Sequence, residues 1–271
     1  MQTGCDNFPI VIPRKQTGVI RARKALPRMT VKEGFTLHPF DLENGVRTSG
    51  LIPGRFLKTG HTHDRHSTAY FGVAPSVFHA LIKRWRRTKP CAPIEEFTFL
   101  DLGAGMGRAI LLATEYPFRK VMGVELHPKL ANIGRRNLSK WRSAGRVRSP
   151  VKITCGDAIS ARIPPGPCLI FLFNPFGESM MRRLIKRLAI TFARRPGELD
   201  LLYVNNEQDR VIGLQSGFTR LYFGKVRRTR KDAMADHRIM ANQPDGEYQA
   251  TIEEDCSIWR WIGHGKELPG L

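Results

Sequence analysis

The sequence predicts an α/β protein: a doubly wound, mostly parallel seven-stranded sheet with one antiparallel strand, plus an N-terminal extension. Three observations predict it. Short apolar runs alternate with longer amphipathic segments through the middle of the chain, the pattern of successive β-α units. The first run, Phe99-Leu100-Asp101-Leu102, passes directly into Gly103-Ala104-Gly105-Met106-Gly107-Arg108 and then Ala109-Ile110-Leu111-Leu112-Ala113. That is a buried strand, a turn without side chains and the start of a helix. Finally, the last two strand-like runs, at 218–223 and 256–262, are separated by a basic and polar insertion in which no helix is read, so the closing pair brings in an antiparallel member.

Taken in order, residues 1–60 read as irregular. They are rich in Gly, Pro and isolated basic residues, with apolar fragments such as Leu37-His38-Pro39-Phe40-Asp41 and Gly50-Leu51-Ile52-Pro53-Gly54 that can dock on a larger body. Residues 75–88 read as a helix: Pro75 suits an early helical position, and Val77, Phe78, Leu81, Ile82 and Trp85 recur at helical spacing. Strands follow at 120–125, 151–155, 168–173 and 200–205. Helices are expected at 106–116, 128–141, 178–194 and 207–214; the third buries Met181, Leu184, Ile185 and Leu188.

Composition narrows the class. At 271 residues the chain buries a sizeable core, and 41% hydrophobic with 25% charged residues is ordinary for a globular protein. No apolar run approaches the roughly 20 residues of a membrane span. Met1 to Asn7 is polar and no secretory signal is read, so a cytoplasmic location is expected. The five cysteines, Cys5, Cys91, Cys155, Cys168 and Cys256, are scattered without a C-x-x-C pair, which argues against a disulfide framework or structural zinc. Charge is the outlier. Forty-four Lys and Arg against 24 Asp and Glu give +20, a field that attracts polyanions. The basic residues read as spread along the chain, without regularly interleaved aromatics for stacking single strands.

The glycine run carries most of the chemistry. Glycines let the backbone turn sharply and approach a ligand closely. The dinucleotide fingerprint G-x-G-x-x-G/A fails here, because its third position falls on Arg108. The pattern is D-x-G-x-G-x-G. Lys120-Val121-Met122-Gly123-Val124-Glu125 places a second acid 24 positions after Asp101, which a right-handed β-α-β unit brings beside the glycine turn. A carboxylate there can accept two hydrogen bonds from a ribose diol. The third strand leads into Gly156-Asp157-Ala158, and the fourth into Asn174-Pro175-Phe176-Gly177.

In these four pieces the chain resembles the class I S-adenosylmethionine-dependent methyltransferases, over roughly 66–262 and most closely over 99–177. The resemblance implies residues 1–65 as an N-terminal extension and 66–271 as the methyltransferase domain, with S-adenosylmethionine as cofactor. It implies that Asp101 steadies the turn and meets the cofactor's amino-acid end, that Gly103, Gly105 and Gly107 pass beneath it, that Glu125 holds the ribose, and that Asp157 with Ala158 reads the adenine. Asn174 and Phe176 then face the methyl group, Asn174 as acceptor for an attacking amine. Thr68, Tyr70 and Phe71 become lid or substrate residues. The Asn-Pro-Phe ending resembles the (D/N)-P-P-(Y/F) of amine methyltransferases without its second proline. It also resembles the Asn-containing segment of the non-SET histone-lysine methyltransferases. N-methylation of a protein lysine or other amine is therefore the first reading. An RNA or DNA methyltransferase is the alternative, favoured by the charge. A binding protein on a non-catalytic methyltransferase scaffold is the third. His61-Thr62-His63-Asp64-Arg65-His66 invites a metal reading, but it misses the H-x-H-x-D-H arrangement by one position, and no metal is expected.

Overall fold

The structure is a computed structural model and describes residues 36–66, 68–242, 248 and 250–263. Most of the extension expected to be irregular, residues 1–35, lies outside the described residues. So do Cys5 and the last eight residues of the expected methyltransferase domain.

Seven strands form one sheet: β1 (Thr98–Leu102), β2 (Lys120–Glu125), β3 (Val151–Cys155), β4 (Cys168–Phe173), β5 (Leu199–Val204), β6 (Phe218–Arg227) and β7 (Glu253–Trp261). Their order is β3-β2-β1-β4-β5-β7-β6. The first five pair in parallel, and β7 runs antiparallel to both β5 and β6. β1, β4 and β5 are buried along most of their length because helices cover both faces, which is why they read as continuous apolar runs. One face packs Phe78, Trp85, Phe99, Trp141 and Phe171 under α2 (Pro75–Arg87), α3 (Arg108–Ala113) and α4 (Pro128–Ser143), where α1 is the short helix Pro39–Asn44 nearer the N-terminus. The other packs Met181, Leu184, Leu188, Tyr203 and Trp261 under α5 (Glu178–Thr191) and α6 (Asp209–Gly213). The chain winds from β1 to β2 and β3, then returns to β4 on the other side of β1. The reversal opens a crevice beyond the carboxyl ends of β1 and β4, the usual ligand position in such sheets.

The structure corrects three expectations about elements. Residues 36–54 are not wholly irregular, since they contain α1. His38 Nδ1 caps that helix by accepting from Phe40 N at 3.1 Å, and Gly45 closes it at φ 62°. The helix after the glycine run is short, Arg108–Ala113, because the left-handed Gly107 delays its start. Most importantly, the insertion between the last two strands holds a helix, α7 (Arg230–Ala241). Thr229 caps it, and its buried face includes Asp232 and Asp236 rather than a purely apolar stripe. Asp236 pairs with the buried Arg228 at 3.1 Å, and Arg228 also holds Glu254; His38 lies 3.6 Å from Asp232. α7 does not convert β6 and β7 into a parallel pair, since the chain returns along the same edge.

Candidate active site

The glycine turn is pinned to β2. Gly103 N and Ala104 N both donate to the Val124 carbonyl, at 2.9 and 3.0 Å. Gly103, Gly105 and Gly107 have φ of 94°, 53° and 86°, in the left-handed region that glycine adopts without penalty. At Gly105 space is decisive as well: a Cβ there would lie 2.2 Å from the Tyr70 ring.

Glu125 sits where the strand register predicts, beside this turn. Its Oε2 accepts from Gly105 N and its Oε1 from His127 N, both at 2.7 Å. Burial raises its carboxyl above the usual range despite these backbone bonds. Each oxygen keeps a further lone pair for a ligand. Asp101 is 3% exposed and lines the same cavity. Burial first, and the neighbouring Glu125 charge second, push its carboxyl well above the ordinary value. Asp157 follows β3. Burial alone would raise it, but the N–H of Ile159 at 3.0 Å, together with His63 and Ser160, outweighs burial and leaves it below the usual range.

These groups line one cavity, about 980 Å³ including its open mouth. Asp101, Gly103, Glu125, Asp157, Ala158 and Phe176 all line it. Thr68, Tyr70 and Phe71 line it too, from a strap that crosses the turn. The strap is held firmly. Tyr70 pairs with Ile52 in an antiparallel bridge, and its hydroxyl donates to the Thr48 carbonyl at 2.7 Å. Thr68 Oγ1 donates to the Asn174 carbonyl at 2.5 Å.

Asn174 is placed differently from expectation. Its backbone is left-handed, φ 38°, and its side chain turns into the protein: Oδ1 accepts from the Tyr203 hydroxyl at 3.3 Å, and Glu207 bonds the amide. It is absent from the residues lining the cavity, which Phe173, Pro175 and Phe176 reach instead. The expected role of its amide, aiming an amine at the methyl group, therefore has no geometric support here. The strand end requires a residue that tolerates the left-handed region, and the inward amide fastens it to the segment after β5.

Three further residues line the cavity without having been assigned a role from sequence. Arg108 stood out there only as a violation of the dinucleotide pattern. It is 2% exposed, donating from Nε to Thr48 Oγ1 at 2.6 Å and from Nη1 to the Gly72 and Val73 carbonyls at 3.1 and 3.4 Å. It lies 4.0 Å from Asp41. A Cβ at Gly72 would fall 2.8 Å from its guanidinium carbon, so glycine is required there. His127 stands just past Glu125 and donates its backbone N–H to that carboxylate. His63 faces both Asp157 and Arg183: its Nδ1 is 3.2 Å from Asp157 Oδ2, and its Nε2 is 3.2 Å from Arg183 Nη1. An arginine can only donate, so Nε2 accepts and Nδ1 carries the proton toward Asp157. His61, His63 and Asp157 lie close enough to resemble a metal-ligand set.

No family model and no curated protein matches the sequence. Solved structures do resemble the chain. An RNA methyltransferase of Salinibacter ruber in complex with S-adenosyl-L-homocysteine aligns with TM-score 0.41 and 16% identity over 72% of this chain and 95% of that one. A protein of the NADB-Rossmann superfamily from Streptococcus agalactiae gives 0.44 and 10% over 71% and 70%. The YcgJ protein of Bacillus subtilis gives 0.41 and 13% over 69% and 100%.

Proposed function

We propose that the chain is an S-adenosylmethionine-dependent methyltransferase. One observation carries the reading. Two buried carboxylates, Asp101 and Glu125, stand at the ends of adjacent parallel strands and open onto one cavity with the glycine turn between them. Such a floor offers carboxyl oxygens to a ligand that presents a ribose diol and an ammonium group. The residues thus fit the cofactor. Asp157, held ionised by its hydrogen bonds, is a ready acceptor for an exocyclic amine.

When bound, the cofactor supplies an electrophilic methyl group on a sulfonium. The chain's part is to orient and to exclude water. Glu125 is itself oriented by two backbone N–H groups, so its free lone pairs point in fixed directions. Tyr70 and the strap roof the glycine turn. Phe176 brings an aromatic ring to the cavity wall from the end of β4.

For the acceptor, a nucleic acid fits better than the protein lysine of the first reading. The amide meant to guide an amine is engaged with Tyr203 and Glu207, whereas the net charge of +20 favours a polyanion. Phe71 and Phe176, both lining the cavity, offer faces for an unstacked base.

Calorimetry with S-adenosylmethionine and S-adenosylhomocysteine tests the cofactor. Both should bind, Glu125→Gln should weaken them at least tenfold, and NAD should not bind. Absence of binding, or preference for NAD, overturns the reading. Incubating the protein and labelled cofactor with cell-extract fractions tests the acceptor. Label should enter material sensitive to ribonuclease. Label in protein alone restores the lysine reading, and cofactor binding without any transfer supports the non-catalytic scaffold.

A further inference from the structure

We infer that the face formed by α4, the loop after it and the edge strand β3 is a docking surface for structured RNA. Read along the chain, the basic residues look scattered, but the fold gathers one group of them. Between Glu125 and Asp157 there is no acidic residue, while Lys129, Arg135, Arg136, Lys140, Arg142, Arg146, Arg148 and Lys152 all fall there. All eight are exposed, and they equal in number two-fifths of the net charge. Among the described residues, Arg146 alone of the eight forms an ion pair, with Glu115 at 3.5 Å. A solvated charged face normally mixes both signs. This one carries a single sign on one helix and the sheet edge beside it.

Location gives the patch a purpose. α4 begins three residues after Glu125 and β3 ends two residues before Asp157, so one end of the basic face lies beside the cavity, and from there it runs along α4 to Arg142, Arg146 and Arg148 near the amino end of β3. The helix has 16 residues and is about 24 Å long. At the B-form spacing of one charge per about 1.7 Å of axis, a duplex of that length carries roughly 14 phosphates.

The chemistry of the face chooses the partner. The exposed large hydrophobics among the described residues are Leu42, Ile190, Leu214, Phe223 and Met234, and all lie elsewhere, so nothing described on this face inserts into a lipid surface. No exposed aromatic there offers a stacking platform for single strands. Instead Asn132, Arg136, Ser139 and Ser143 repeat at helical spacing and are exposed, interleaving amide and hydroxyl groups with the cations. Duplex RNA is held through phosphates and 2′-hydroxyls, which such a stripe matches. The choice of RNA rests on the nucleic-acid reading of the acceptor; the docking itself does not depend on methyl transfer.

The test uses the full chain, an RNA duplex of about 16 base pairs and fluorescence anisotropy over a salt series. A triple variant, Arg136→Ala with Arg142→Ala and Lys152→Ala, is compared with Lys83→Ala with Arg86→Ala and Arg87→Ala, three exposed cations on α2. The first triple should weaken binding at least tenfold and flatten the slope of log affinity against log salt by about 3, roughly 1 per phosphate contact. The second should stay within twofold. Calorimetric binding of S-adenosylhomocysteine should be unchanged in both triples, which separates failure here from failure of the methyltransferase reading. Equal losses in the two triples, no loss in the first, or equal or tighter binding of a DNA duplex of the same sequence or of anionic vesicles overturns the inference.

Discussion

Replacing Gly105 by alanine probes the tightest point of the site. Two costs arise from its geometry. At φ 53° an alanine pays about 1 kcal/mol for the left-handed backbone. Its Cβ would also sit 2.2 Å from Tyr70 Cε2 and 2.5 Å from Cδ2. The ring is not free to retreat, being 9% exposed, tied to the Thr48 carbonyl by its hydroxyl and to Ile52 by its backbone. Overpacking of this kind costs about 1–3 kcal/mol, giving a total of about 2–4 kcal/mol. A double-mutant cycle separates the two costs. Tyr70→Val removes the ring atoms that would clash, so in that background Gly105→Ala should cost only the backbone share of about 1 kcal/mol. Urea denaturation of the four proteins gives the coupling directly. A coupling below about 0.5 kcal/mol would refute the claim that the strap ring rests on this glycine.

The remaining predictions concern neighbouring groups. Asp101→Asn should stabilise the cofactor-free protein while weakening cofactor binding. A carboxyl whose folded pKa is raised takes up protons more readily folded than unfolded, so its contribution to stability is present in acid and is lost as pH rises above the ordinary carboxylate range. Melting temperature should therefore fall less for the variant as pH rises above the ordinary carboxylate range, and an unchanged profile would contradict the assignment. Arg260→Met strands Asp200, which Arg260 grips at 2.7 and 2.9 Å, and should cost about 3–5 kcal/mol in denaturation. Adding Asp200→Leu should recover most of that loss. Asn174→Gly keeps the left-handed backbone and removes the amide. If the amide only fastens the strand end, kcat should fall less than tenfold; a loss of a thousandfold or more would return the amide to the chemistry.

Much of this architecture was legible because it is local. The glycine run, the acids at strand ends and the apolar runs of β1, β4 and β5 announce themselves by spacing, and Glu125 lands beside Gly105 as the β-α-β geometry requires. What stayed hidden depends on distant partners. α7 carries Asp232 and Asp236 on its buried face, where a periodicity reading looks for apolar groups, because Arg228 and His38 wait there to receive them. Asn174 reads as substrate-facing until Tyr203 and Glu207, some thirty residues on, take up its amide. Arg108 counted only as a mismatch to a motif. Its partners lie 35 to 67 positions earlier in the chain, and nothing near it in sequence names them.

Arg108 also changes how the cavity answers to mutation. One side chain at the first turn of α3 grips both flanks of the strap, at Thr48 and at Gly72 and Val73. Roof and floor therefore cannot drift independently. A substitution near Asp41, which has no part in the cavity wall, would be transmitted through a single guanidinium to the glycine turn at the cavity floor. Variation in ligand affinity among mutants of this protein should thus cluster in two unconnected stretches of sequence, around positions 41–49 and around 101–108, as though they were one segment.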